Sequence, residues 1–327
     1  MSGPLVSCII PTFNRCGLLP RAVESILAQS YRPMELVIVN DGSTDQTQSL
    51  EPVLQQQAMA AGVDWVFFTK ENGGLSRARN DGVAQSHGAY FGFCDDDDRW
   101  ASTRVEKQVA ELLVSNADAC CCRLTVNTAT GPAAFPPHST ELLRGLDPAR
   151  FISGERFAHI NSLLVARALW EQVGEFDPEL KLSQDVEWQA RLVHIATFCA
   201  VDAELGTWDF EPGQAFRVKK GADLLRRDEF FELVLRKMKE RNATRPGWNE
   251  SIWRQRVARE FDEFVKHRLY AGQLREARAC FERGVALAGM TSPLSRTRGK
   301  LRKAWWLSLI GKRLRHPKFQ SFEEIRS

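Results

Sequence analysis

The chain has 327 residues, 43% of them apolar and 26% charged, and 44 Lys and Arg against 41 Asp and Glu leave a net charge of +3. This composition excludes wholesale disorder and a fibrous repeat, and the near balance of charge neither demands nor forbids an anionic partner. The length suits one large α/β domain with an appendage, or two ordinary domains. No apolar run is long enough to cross a bilayer, and the opening MSGPLVSCIIPTFNR reads as a strand entering the fold at once, without a cleavable leader. Eight Cys, among them the consecutive Cys120, Cys121 and Cys122, sit mostly in apolar runs with no C-x-x-C pair, which points to reduced thiols in the cytoplasm.

In chain order, the apolar run 5–10 predicts a buried strand, and 17–30 predicts a helix with Leu18, Ala22 and Ile26 on one stripe. A strand at 34–39 ends in the polar turn NDGSTD, followed by a Gln-rich helix over 45–61 and the strand DWVFFT at 64–69. After the loop KENGG come a helix over 75–86 and a strand at 89–94 that runs into DDDD. A helix over 102–115 and the strand DACCCRLTV at 118–126 complete this half. Strands separated by helices imply right-handed βαβ units and a mostly parallel sheet, with the site beyond the carboxyl ends of the strands. Residues 127–150 read as a Pro-rich loop, 155–205 as compact again, and 221–327 as a charged helical extension with Gly272 between two helices. The expected boundary therefore separates 1–220, divided into halves at 126/127, from 221–327.

Asp95, Asp96, Asp97 and Asp98 carry the strongest chemical signal. Four adjacent carboxylates repel one another, so a strand end holding them calls for a cation, and Mg2+ or Mn2+ takes one or two carboxylates together with substrate phosphates. The other reading is a solvated acidic turn. Pro11, Thr12, Phe13 and Asn14 offer amides, a hydroxyl and an aromatic face, while Asn40 and Asp41 offer acceptors for a base or ribose; each group is also ordinary turn chemistry. No G-x-G-x-x-G or G-x-x-x-x-G-K-[ST] cradle is present, so a nucleotide bound here would need a metal at its phosphates.

The runs VSCIIPTFNR, ELVIVNDGSTD and ENGGLSRARNDGVAQSHGAYFGFCDDDD, followed by NSLLVARALWEQVGEFDPEL and SQDVEWQARL, resemble the family-2 glycosyltransferases of the GT-A fold over roughly residues 4–205. The resemblance implies an α/β fold with a Rossmann-like nucleotide-binding sheet flanked by helices. It places Pro11–Asn14 and Asn40–Asp41 at base and ribose, with Asn40 standing where the family carries Asp. Arg79 and Asn80 fall on the segment lining the nucleotide cleft, Asp95 and Asp96 beside the sugar nucleotide, and Asp97 on the metal. Asp185 takes the position of the catalytic base, and Gln184 replaces the family's acidic neighbour. Trp188 and Arg191 are acceptor-side positions that packing of their helix would equally explain, and Asp185 would also serve as a helix N-cap.

The implied activity is inverting, metal-dependent transfer from a nucleoside-diphosphate sugar, taken as UDP-linked, to a hydroxyl of a glycan, lipid-linked or protein-linked acceptor. An inactive glycan- or sugar-nucleotide-binding module of the same fold is the alternative, and a scaffold working through its helical tail is a third reading. His159 precedes the acceptor-side segment and His194 follows Arg191, so either could approach the metal, but both read first as packed or surface residues. Residues 296–315 set eight cations about Trp305, Trp306, Leu307, Leu309 and Ile310; they read either as a helix packed on the core or as a peripheral contact with an anionic membrane. Without a recognised motif, the charge does not indicate nucleic acid.

Overall fold

The computed structural model of the protein describes residues 3–128, 131–135, 147–155, 158–209, 221–312 and 314. The chain forms two compact units, Met1–Asp147 with Arg156–Gln214, and Pro148–Glu155 with Ala215–Ser327.

In the first unit β1 (Val6–Thr12) is buried along its whole length, and α1 (Leu19–Leu27) covers it with the stripe Leu19, Ala22, Val23 and Ile26. There follow β2 (Met34–Asn40), α2 (Glu51–Ala60), β3 (Asp64–Thr69), α3 (Leu75–Gln85), β4 (Tyr90–Phe93), β5 (Arg99–Trp100), α4 (Arg104–Ser115), β6 (Ala119–Thr128) and β7 (Gly131–Phe135). The sheet order is β3-β2-β1-β4, then β8 (Leu164–Ala166), β6, β9 (Phe198–Asp209) and β5, with β7 also paired to β6. The first four strands are parallel, and their registers set Thr12 opposite Asn40 and Ile9 opposite Phe93. Strand order reverses between β1 and β4, which opens a crevice at their carboxyl ends.

The second half of the sheet is mixed. The strand expected at 118–126 is β6, but it does not join β4. Between them lies β8 (Leu164–Ala166), antiparallel to both, entered from a tight turn at Ile160–Ser162. The Pro-rich stretch read as a loop contains β7, antiparallel to β6, while 136–146 lies outside the described residues. Cys120, Cys121 and Cys122 are buried in β6, and none of the eight cysteines forms a disulfide.

The second unit contains α5 (Pro148–Ser153); α6 (Arg167–Val173) and α7 (Gln184–Leu192) then return to the first unit, ahead of β9 (Phe198–Asp209). The helical extension is α8 (Gly221–Asn242), α9 (Glu250–Tyr270), α10 (Leu274–Ala288) and α11 (Ser292–Leu309), with Gly272 at the α9–α10 turn. Along α9, Trp253, Val257, Phe261 and Val265 are fully buried. Residues 148–155, which the sequence reading leaves in the catalytic half, group with these helices. The cause is Arg256, whose buried guanidinium donates to the carbonyls of Phe151 (3.1 Å) and Ile152 (3.3 Å). Among the described residues no helix is long and apolar enough to cross a membrane.

Candidate active site

Three strand ends meet at the crevice. Thr12 is buried at the end of β1, and Phe13 beyond it is 45% exposed, an aromatic face open to solvent. Asn14 takes a left-handed φ of 53° and accepts the Thr44 amide (2.7 Å), while its own amide donates to Ser43 Oγ (2.9 Å). The loops after β1 and β2 are thereby tied together. Pro11 lies within β1 opposite Val39.

Asn40 and Asp41 are buried and occupied. Asn40 Oδ1 accepts the Ser43 amide (3.0 Å), and its Nδ2 donates to Gln48 (3.2 Å). The Asp41 carboxylate accepts the amides of Gly73 and Gly74, both at 2.8 Å, and so fixes the entry to α3. Gly42 lets the loops close: its φ is +75°, and a Cβ there would lie 2.7 Å from the Asn72 amide nitrogen. These two residues therefore shape the slot, with their polar side-chain atoms already engaged.

Arg79 and Asn80 face inward from α3. The Arg79 guanidinium lies 5.6 Å from the Phe93 ring centroid and 5.7 Å from that of Phe176, and donates to Asp95 Oδ1 at 2.8 Å. Asn80 brackets the backbone of Phe176, donating to its carbonyl and accepting its amide, both at 2.9 Å.

The four carboxylates diverge. Asp95 is 29% exposed and Asp97 15%, the latter 4.0 Å from Arg15. Asp96 is buried, and desolvation pushes its carboxyl up to about 7, with Asp97 and Asp95 adding to the rise and the Thr12 hydroxyl and Arg15 opposing it. Asp98 is also buried and its carboxyl raised well above the ordinary range, first by desolvation. It accepts from the Asn161 side chain and from the Asp209 amide (3.1 Å). Asp209 in turn pairs with Arg21 (2.6 Å) and Arg99 (3.0 Å). The fourth carboxylate thus pins the strand end to β9.

Asp185 stands in the first turn of α7, half-buried. The N-cap is Ser183, so the capping reading of Asp185 does not hold. Gln184 is buried, and its Oε1 has no hydrogen-bond partner. Trp188 is fully buried, stacks on Phe176 at 5.0 Å and donates to the Gly174 carbonyl (2.9 Å). Arg191 chelates the buried Glu187 carboxylate at 3.0 Å and also donates to the carbonyls of Val173 and Glu175. Trp188 and Arg191 therefore pack α7 onto α6 and the segment after it.

The sequence gives little hint of His159. Its ring lies tilted by 34° against Trp208 with centroids 4.8 Å apart, and its Nδ1 accepts from the Asn161 amide at 3.3 Å. Burial lowers its pKa, the negative charges of Asp95 and then Asp185 oppose that, and Arg79 and Arg104 reinforce it. One imidazole thus lies within the fields of both Asp95 and Asp185. Spacing alone does not link the two, because His159 lies 64 positions beyond Asp95.

Among the described residues no group of three or more His, Cys, Asp and Glu side chains is arranged to hold a metal. The donor set fits a hard cation all the same. Asp95 and Asp97 present partly exposed carboxylates at the crevice, and Mg2+ or Mn2+ commonly takes one or two such ligands and completes its shell from phosphate and water.

Residues 7–162 match the model of glycosyl transferase family 2. It is 30% identical over 198 residues to an uncharacterized glycosyltransferase of Rickettsia typhi, an alignment covering 59% of this chain and 60% of that protein. The chain thus spans less than two thirds of that relative's length. Its fold is that of S. aureus TarS, seen for residues 1–349 in complex with UDP, at a TM-score of 0.63 and 16% identity over 92% of each chain. The mannosyltransferase PcManGT of Pyrobaculum calidifontis, in complex with GDP-Man and Mn2+, superposes at a TM-score of 0.56 with 18% identity, covering 99% of this chain and 84% of that one. The α/β GT-A fold expected from the sequence is what the structure has.

Proposed function

We propose that the protein is an inverting, metal-dependent glycosyltransferase that moves a sugar from a nucleoside diphosphate to a hydroxyl of a glycan or lipid-linked acceptor. One observation carries this reading: Arg79 pairs with Asp95 at 2.8 Å and lies 5.7 Å from the Phe176 ring, which stacks on Trp188 of α7 at 5.0 Å, so the acid run and the helix that bears Asp185 are joined through one chain of packed side chains. The TarS complex with UDP supports a UDP-linked donor, and the PcManGT complex with Mn2+ supports a divalent cation.

In this reading Phe13 stacks on the base, in a slot built by Pro11, Thr12, Asn14, Asn40 and Asp41. Arg79 orients Asp95 toward the donor, Asp96 sits beside it, and Asp97 holds the cation. When bound, the cation supplies positive charge against the negative charge that grows on the departing diphosphate. Asp185 accepts the proton of the acceptor hydroxyl as that oxygen attacks the anomeric carbon, and a single displacement inverts the centre. Gln184 lies next to Asp185 on the acceptor side.

The test is a donor panel of UDP- and GDP-sugars with product mass and anomer analysis, with and without Mn2+. Asp97→Asn should abolish transfer and metal-dependent nucleotide binding. Asp185→Asn should keep donor affinity and lose about 10²–10⁴ in turnover. An active Asp97→Asn enzyme, or loss of nucleotide binding in Asp185→Asn, contradicts these roles.

A further inference from the structure

Helix α11 carries a feature the site does not use. Leu294, Thr297 and Ala304 form its buried face, yet Trp305 is 50% exposed, Trp306 65%, Leu309 59% and Ile310 65%. These four residues lie together at the end of the helix, where Gly311, at φ +68°, turns the chain. Isolated exposed apolar side chains need no explanation, but two adjacent Trp with Leu and Ile form a patch.

The charges on the same helix decide what would cover it. Residues 292–312 contain six cations, Arg296, Arg298, Lys300, Arg302, Lys303 and Lys312, and no Asp or Glu. Arg298 and Arg302 precede Trp305 and Leu309 at helical spacings of four, three and four, so cation and aromatic share one exposed stripe. A protein partner with an ordinary mixed surface would not need this asymmetry. A second copy would set cation against cation. The chain's own 313–327 carries Arg313, Arg315, Lys318 and Arg326 against Glu323 and Glu324, and so offers no anionic complement.

We infer that the exposed stripe of α11, from Arg298 to Ile310, docks on an anionic lipid bilayer, with Trp305, Trp306, Leu309 and Ile310 at the level of the headgroups. Indole rings favour the membrane–water boundary, and a basic helix with one apolar face lies in that plane. The patch cannot span the bilayer, so the attachment is peripheral and falls with ionic strength. This inference does not depend on the chemistry assigned to the crevice.

The test uses the full chain with vesicles of phosphatidylcholine alone or with one-third phosphatidylglycerol, by co-sedimentation at about 50 mM and about 500 mM NaCl. Wild type should bind the anionic vesicles at low salt at least about tenfold better than the neutral ones, and release at high salt. Arg298→Glu with Arg302→Glu, and separately Trp305→Ser with Trp306→Ser, should each lower binding about tenfold or more. Both variants should keep wild-type circular dichroism, since the altered side chains are exposed. Brominated lipid should quench part of the indole emission in wild type and not in the Trp variant. The inference fails if neutral and anionic vesicles bind alike, or if the Trp variant binds as wild type does. It also fails if duplex DNA is retained more tightly than vesicles regardless of the Trp pair. A wild-type dimer in sedimentation equilibrium that the Trp variant converts to monomer assigns the patch to a second copy and likewise overturns it.

Discussion

Burial separates Asp96 from its neighbours in the acid run, and it gives the site a pH signature. Its carboxyl is pushed up to about 7 because the folded protein withholds water from it. A carboxyl that holds its proton more tightly when folded stabilises the fold below its ordinary pKa. It loses that contribution as pH rises through about 7. Asp96→Asn should therefore raise the thermal midpoint of the protein in EDTA at pH 8, by up to about 4 kcal/mol in stability, and the gain should shrink toward pH 5. Melts of both proteins across that range check it, and a gap that does not change with pH would mean that Asp96 is not the titrating group. The sequence shows the four carboxylates as an anomaly but does not show that Asp96 and Asp98 are the two that are buried. Successive residues beyond a strand end point in different directions, and the partners that distinguish Asp98, Asn161 and Asp209, come from distant parts of the chain.

Elements with strong local signals match their sequence expectations closely. β2, β3 and α3 fall within a residue or so of the ranges read from apolar period and turn residues, because each is a clear apolar run or helical pattern set between polar or Gly-bearing turns. The shorter pieces are different. The three-residue β8 is shorter than any periodicity, and β7, with the sequence GPAAF, has no alternating pattern; backbone pairing with β6 defines it. In α3 the run RARN is legible as a motif, but the work of Asn80 is not, since its partner Phe176 is 96 residues away. Removing that side chain leaves the amide and carbonyl of Phe176 without these partners in a buried place. Asn80→Ala should cost about 2–4 kcal/mol in urea unfolding. Its nucleotide affinity, measured by calorimetry under folding conditions, should fall far less. Wild-type stability in Asn80→Ala would show that the two hydrogen bonds are readily replaced.

At the scale of the molecule, the chain does not divide at one point. The composition shift near residue 220 marks where the helical extension starts, but residues 148–155 belong with that extension although they lie far upstream. α5 has no helical signal strong enough to announce this. Its placement follows from Arg256, buried on α9, whose guanidinium satisfies the carbonyls of Phe151 and Ile152, and from Arg259, which donates to the Ser153 carbonyl. A chain ending at residue 220 would lose those donors and the α9 surface, leaving Phe151 and Ile152, 1% and 0% exposed in the intact protein, without that cover. Such a chain should bind a hydrophobic dye and aggregate even if its nucleotide crevice forms. Phe151→Ser with Ile152→Ser should restore its solubility, because the substitutions remove the apolar surface that truncation uncovers. Size-exclusion profiles of the truncated chain with and without the two substitutions decide the matter. A truncated chain that is monomeric and dye-silent without them would mean that α5 finds its cover within the first 220 residues.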